Sequence, residues 1–273
     1  MRKIGFIDYF LHEWHADNIP AWISEISDGA MKVCYAWGEI DNPNGKTNVQ
    51  WSEELGIELC GSIEEVIQKS DFLIVLSPDN PERHVDLCRL PLMSGKPTYV
   101  DKTFALSLTD TKQIMENVKQ TPYYTCSALR YAKEIKGCMG KDIVMVDSRG
   151  SGTTNYIIHQ LEPLYMMMGK ACQVTALGEP DEAILLFEYS DKRRAAVNYG
   201  RWEHDFHTIV RYADGSRDDL TLVSEYFIEF TKDLLKFFET GIPPVSEEEI
   251  WDIMSMLDAS IKAASTPGTW VTI

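Results

Sequence analysis

The chain has 273 residues, with 26 Lys and Arg against 42 Asp and Glu, a formal net charge of −16 and a pI near 4.8. Hydrophobic residues at 44% and charged residues at 25% are ordinary globular usage, which excludes a disordered or collagen-like chain, and the length suits two domains or one large one. The densest basic run is Lys192-Arg193-Arg194, so the acidic surface excludes nucleic acid and anionic membrane as expected partners.

The first 126 residues alternate short β-type runs with helical patterns, the arrangement of a parallel sheet covered by helices on both faces. Strands are predicted over Lys3 to Asp8, Met31 to Trp37, Ile57 to Cys60, Asp71 to Leu76, Pro97 to Val100 and Tyr123 to Cys126. The apolar run Phe72-Leu73-Ile74-Val75-Leu76 suits a strand buried on both faces. Ser62 with Glu65 reads as a capping box, and Thr109 with Asp110 precedes a helix carrying Ile114 and Val118. The fold class that follows is α/β, a doubly wound parallel sheet.

After Cys126 the pattern changes. A helix-rich stretch, Asn155 to Gly169, precedes strand-like runs at Cys172 to Leu177, Ala183 to Tyr189, Ala195 to Tyr199 and Thr208 to Tyr212, with turn residues Asp191 and Asp214-Gly215 between some of them. An open, mostly antiparallel sheet is expected. Two helices close the chain, one with Phe227, Phe230, Leu234 and Phe237 at helical spacing, the other capped by Ser246 and Glu249 with Ile250, Met254, Leu257 and Ile261 on its apolar face. The expected division is a dinucleotide-binding domain over 1–126 and an α+β domain over 127–273, whose last helices have the option of packing back on the first domain.

The six cysteines show no CxxC or CxxH spacing, so neither a disulfide framework nor a zinc site is signalled. His12-Glu13-Trp14-His15 departs from HExxH and has no third ligand in sight, so no metal is expected. The N-terminus has no signal-peptide pattern and no apolar stretch reaches membrane-spanning length, which points to a cytoplasmic protein.

A dinucleotide-binding unit needs G-x-G-x-x-G after its first strand, because the backbone must approach a pyrophosphate at a helix N-terminus. Here the loop reads Asp8-Tyr9-Phe10-Leu11-His12-Glu13-Trp14-His15-Ala16, with Asp8, Phe10 and Glu13 at the three glycine positions. Side chains there obstruct close approach, and two carboxylates repel a diphosphate. His12, His15 and backbone N–H groups remain as donors.

From Ser70 onward the order of motifs resembles the glucose-fructose oxidoreductase and inositol dehydrogenase family. The run Asp71 to Pro78, then His84, then Gly95-Lys96-Pro97-Thr98-Tyr99-Val100-Asp101-Lys102-Thr103 follows the family's strand ending in Thr-Pro, its following His, and its Gly-Lys pair leading to Glu-Lys-Pro. Lys102 falls on the family lysine, Asp101 on the glutamate and Thr103 on the proline. Gly152 to Glu162 is similar to the family's Gly-rich entry followed by Asp-x-x-x-His-x-x-Asp, with Asn155, His159 and Glu162 at those positions. The endings are similar too, so the resemblance spans essentially the whole of a short, divergent chain.

The resemblance implies hydride transfer between NAD or NADP and a secondary alcohol or carbonyl of a sugar, cyclitol or related compound. His159 is then the base, Lys102 the donor to the reacting oxygen, and Asn155 an orienting group. Asn155 lacks the charge with which an aspartate stabilises an imidazolium. The implied cofactor contacts are Asp8, Phe10, His12, Ser77, Pro78, Asn80, His84, Asp101 and Lys102. Glu39, or Asp41, is placed to accept from an adenosine ribose, with no adjacent arginine in sequence, which leans to NAD. Arg130, Tyr156, Glu162 and Trp202, with His204, surround the implied substrate, and the open sheet implies a homodimer or homotetramer. Two alternatives stand beside this: a non-catalytic ligand-binding or regulatory homologue, favoured by the missing glycines, and a biliverdin-reductase-like enzyme on the same scaffold.

Overall fold

The computed structural model describes residues 1–201 and 205–273, the side chain of residue 154 excepted. The chain divides into two units, one formed by residues 1–105, 109–126 and 228–247, the other by 106–108, 127–227 and 248–273.

In the first unit the elements run β1 (Arg2–Asp8), α1 (Trp14–Ile26), β2 (Met31–Gly38), α2 (Asn48–Leu55), β3 (Glu58–Leu59), α3 (Ile63–Lys69), β4 (Phe72–Val75), short helices α4 (His84–Leu87) and α5 (Arg89–Met93), β5 (Thr98–Val100), α6 (Leu108–Glu116) and β6 (Tyr123–Tyr124). Every strand pairing is parallel and the sheet order is β3-β2-β1-β4-β5-β6. The order reverses between β1 and β4, so the ligand crevice of this unit lies outside the C-terminal ends of those strands. Phe6, Ile7, Leu73, Ile74 and Val75 are fully buried, as a sheet covered on both faces requires. Gly5 is needed in β1 because a Cβ there would collide with Val66 and Ser70 of the α3 segment. Helix α9 (Tyr226–Thr240) contributes Phe230, Phe237 and Phe238, whose rings pack on Tyr99, Tyr124 and Phe72 at centroid separations of 5.2, 4.9 and 4.8 Å.

In the second unit α7 (Lys133–Lys136), β7 (Ile143–Ser151), a 3-10 turn (Thr154–Ile157) leading into α8 (Ile158–Met168), β8 (Gln173–Glu179), β9 (Glu182–Glu188), β10 (Arg194–Gly200), β11 (His207–Tyr212) and β12 (Arg217–Thr221) precede α10 (Glu247–Ser265) and β13 (Val271–Thr272). The sheet order among the described residues is β12-β11-β7-β10-β9-β8-β13, antiparallel apart from the β7–β10 pair. One face is buried through Val146, Val174, Leu185, Phe187 and Val197. The other leaves Ile184 and Trp270 exposed. The architecture is α/β overall, a doubly wound parallel sheet plus a mixed, mostly antiparallel one.

No helix of the described chain is long and apolar enough to cross a membrane.

Candidate functional site

The loop that replaces the glycine fingerprint is filled by its own side chains. Leu11 is fully buried, and its N–H donates to Asn48 Oδ1 at 3.0 Å. The Asn42 amide donates to the His12 carbonyl at 2.6 Å, and His12 Nδ1 accepts from the Lys46 N–H at 2.9 Å. Glu39 and Ile40 N–H groups donate to the carbonyls of Asp8 and Tyr9. The loops after β1 and β2 are thereby held together, with His12 in the joint. Phe10 is half-buried, its ring 5.6 Å from that of Tyr9.

Glu13 is the N-cap of α1. Its carboxylate accepts from the N–H of His15 at 2.7 Å and from the N–H of Ala16, so an anionic group already occupies two of the helix's unpaired donors. Asp8, at the end of β1, is 1% exposed; Oδ1 accepts from the Tyr9 N–H at 2.7 Å, while Oδ2 has no hydrogen-bond partner among the described residues. Burial, reinforced by Glu13 and Asp101, pushes the Asp8 carboxyl well above the carboxylate range, against the N–H groups of Tyr9 and Phe10. Burial also raises Glu13 to about 7, with His15 and its N–H opposing.

Asp101 follows β5 and pairs with His15 in the same cluster. His15 Nδ1 lies 2.5 Å from its Oδ2, and Oδ1 accepts from the Lys102 N–H at 2.8 Å and the Tyr99 hydroxyl at 3.1 Å. Burial opposes charge on both members of the pair. The pairing wins, holding Asp101 below and His15 above their ordinary values, with Lys102 helping Asp101 and opposing His15. Lys102 itself is 4% exposed and the Lys102–Thr103 peptide is cis.

At the end of β4 the chain turns through Ser77, whose φ of 94° is rare for a residue with a side chain; its hydroxyl donates to the Asn80 carbonyl at 2.9 Å. Pro78 is buried beside it, and the Asn80 amide donates to Glu82 at 3.2 Å. The buried His84 ring joins the carbonyl of Leu76 at 2.7 Å to that of Thr103 at 2.9 Å, tying the end of β4 to the segment after β5. Burial lowers its pKa against those carbonyls and Asp101. Glu39, after β2, meets an arginine that sequence adjacency does not reveal: Arg83 grips its carboxylate at 2.7 and 3.2 Å, and Asp41 accepts from the Asn48 N–H at 2.7 Å.

In the second unit His159 lies in the first turn of α8, its Nδ1 2.7 Å from Ser127 Oγ, with the rings of Tyr156 and Phe206 at 5.5 and 5.6 Å. Ser127 also accepts from the Leu129 N–H at 3.2 Å. Gly150 and Gly152 clear the approach to this helix: a Cβ on the first would strike Phe206, and on the second Tyr156, where φ is also 123°. Asn155 precedes His159 by four residues, within the 3-10 turn. Glu162 is 3% exposed and accepts from the Ser127 N–H at 2.8 Å and Arg130 Nη1 at 3.1 Å, while Arg130 Nη2 donates to Glu249 at 2.7 Å. Burial lifts Glu162 to about 7, opposed by Arg130 and that N–H. Trp202 and His204 lie outside the described residues.

Sequence reading passed over His15 as a partner of Asp101, Ser127 as a partner of His159 and Arg83 as a partner of Glu39. Each pair spans 32 to 86 residues, so no local pattern marks it. Among the described residues no group of three or more His, Cys, Asp or Glu is arranged to hold a metal.

Two features of the first unit's crevice bear on a dinucleotide's diphosphate. Glu13 occupies the first donors of α1, so a diphosphate meets them only when that carboxylate is displaced, and Asp8 Oδ2 is a buried polar atom with no hydrogen-bond partner among the described residues, able when protonated to donate to a phosphate oxygen.

No family model and no curated protein matches the chain. Solved structures do. A probable dehydrogenase from Thermotoga maritima is 16% identical with a TM-score of 0.82, over 99% of this chain and 98% of that one. Myo-inositol 2-dehydrogenase from Lactobacillus plantarum is 14% identical with a TM-score of 0.74, over 100% and 99%. Levoglucosan dehydrogenase, in a complex with NADH and levoglucosan, is 13% identical with a TM-score of 0.78, over 100% and 99%. At these identities the likeness is one of fold. The chain has the fold of oxidoreductases of the glucose-fructose oxidoreductase and inositol dehydrogenase type.

Proposed function

We propose that the protein is a nicotinamide-dependent oxidoreductase acting on a secondary alcohol or carbonyl of a sugar, cyclitol or related small polyhydroxylated compound. The observation that carries the reading is Lys102, a lysine buried immediately past β5, at the edge of the parallel sheet where open α/β folds bind ligands. The solved complex of levoglucosan dehydrogenase with NADH and levoglucosan supports the cofactor and the substrate class by fold.

Bound nicotinamide supplies the hydride acceptor or donor. Residues at the ends of β1, β4 and β5, namely Asp8, Ser77, Pro78, Asn80 and Lys102, would hold the dinucleotide. Alcohol oxidation also releases a proton from oxygen, and His159 is the residue assigned to take it. Ser127 can set the ring for this proton transfer, because Nε2 is the unprotonated, basic nitrogen when Nδ1–H donates to Ser127 Oγ. Lys102 donates to the alkoxide oxygen as charge develops, and its Asp101-bound backbone fixes where the side chain starts. Asn155 orients by hydrogen bonding alone.

A second reading, a non-catalytic homologue, is favoured by one observation, the Glu13 cap on α1. Titration with NADH and NADPH, followed by turnover over a panel of sugars and cyclitols, separates the two. The enzyme reading expects binding and a turnover that Lys102→Ala and His159→Ala each abolish. Failure of both cofactors to bind at millimolar concentration removes it. Self-association into a homodimer or homotetramer is proposed through the sheet face that exposes Ile184 and Trp270. A species of 31.1 kDa in light scattering would remove that part.

A further inference from the structure

We propose that Glu13 is a built-in competitor of the dinucleotide: its carboxylate holds the first donors of α1 in the free protein, and a diphosphate is admitted only when it lets go. This rests on the nicotinamide reading. Helix N-termini attract one anion at a time, because the unpaired N–H groups and the helix dipole act over a single turn. Both oxygens of Glu13 are engaged there, on His15 and Ala16, and the residue is 7% exposed. The second, independent feature is the Asp8 Oδ2 atom, buried and without a partner among the described residues, on a carboxyl that interacts with Glu13. Protonated, it would donate to an entering phosphate oxygen.

The cap is also able to leave. The groups facing Glu13 are Asp8 from the end of β1, His15 on its own helix and Asp101 after β5, with Lys102 next to Asp101. Burial, with Asp101, opposes the charged form of Glu13, while His15 and the N–H groups of His15 and Ala16 favour it, and the balance puts its titration at about 7. Once protonated, Glu13 loses its attraction to the helix end and ceases to repel phosphate. Dinucleotide affinity is therefore expected to fall as pH rises.

The test is NADH affinity of the full chain at about pH 6 and about pH 8, for wild type, Glu13→Gln and Glu13→Gly. The wild type is expected to lose about tenfold, the ratio of its protonated fractions at the two values. Both variants should lose that slope and bind more tightly than wild type at the higher pH. Equal wild-type affinity at the two values, or a wild-type slope retained in Glu13→Gln, overturns the competitor role and leaves the cofactor reading standing. Absence of NADH binding in all three proteins at both values overturns the two together.

Discussion

Each unit buries a cluster of charged side chains beside a helix start, and the two clusters are built on opposite plans. In the second unit the acids are matched. Glu162 has the Ser127 N–H and Arg130, and Arg130 reaches on to Glu249. In the first unit three acids, Asp8, Glu13 and Asp101, lie together: Asp101 pairs with His15, Glu13 takes the N–H groups of His15 and Ala16, and Asp8 Oδ2 has no hydrogen-bond partner among the described residues. A matched cluster braces a fold. An unmatched one costs stability, because a buried polar atom without a partner loses its hydration for nothing, and such a cost is expected where a ligand completes the set. The same residue types are thus paired in one unit and partly unpaired, among the described residues, in the other. In particular, Arg130 and Glu162, expected from sequence to meet substrate, are engaged with each other.

The largest effect should come from breaking the matched cluster. Arg130→Ala strands Glu162, and removing one partner of a buried pair typically costs about 3–5 kcal/mol. Without Arg130 the Glu162 pKa rises further above its unfolded value. An acid raised in the folded state stabilises below its unfolded pKa, and that contribution is lost as pH rises through the folded one. The deficit in urea unfolding should therefore be greater at about pH 8 than at about pH 5, and adding Glu162→Gln should recover much of it. Equal deficits at the two values would show that Glu162 is not the stranded group and would dissolve the contrast between the units.

What was legible in the sequence follows from range. Doubly wound topology is written in apolar runs such as Phe72 to Leu76 and in turns between them, all local. The N-cap at Ser62 was legible in part: its hydroxyl takes the Glu65 N–H, but the Glu65 carboxylate accepts from the Gly61 N–H, one residue before the box predicts. β7 escaped because Asp147 and Arg149 point to solvent from a strand buried at Val146 and Ser148, and Gly150 interrupts its β-type pattern. β12 escaped for a similar reason, being charged at Arg217, Asp218 and Asp219. At the candidate site, residue types were legible and pairings were not. Asp8 and Glu13 read as two charges opposed to phosphate, whereas burial favours the protonated form of the first and brings the second to the edge of titration.

The smallest effect on stability should come from Arg83→Gln, and it sharpens the view of the first unit as a binding region. Arg83 and Glu39 are each about one-third exposed, so their bidentate pair is worth less than about 1 kcal/mol and the melting temperature should barely move. Binding should respond more. With Arg83 present the Glu39 charge beyond β2 is neutralised, which weakens the discrimination against a 2′-phosphate that an acid at this position otherwise exerts. Removing the arginine leaves Glu39 to repel that phosphate while still accepting from a ribose hydroxyl. NADPH affinity should fall relative to NADH by on the order of tenfold at low ionic strength, and by less in high salt because the pair is partly exposed to solvent. Parallel titrations with the two cofactors read the ratio. A ratio unchanged from wild type would mean that the adenosine end of the dinucleotide lies away from Glu39, and the loops joined by His12 and Asn42 would then have to serve some other purpose.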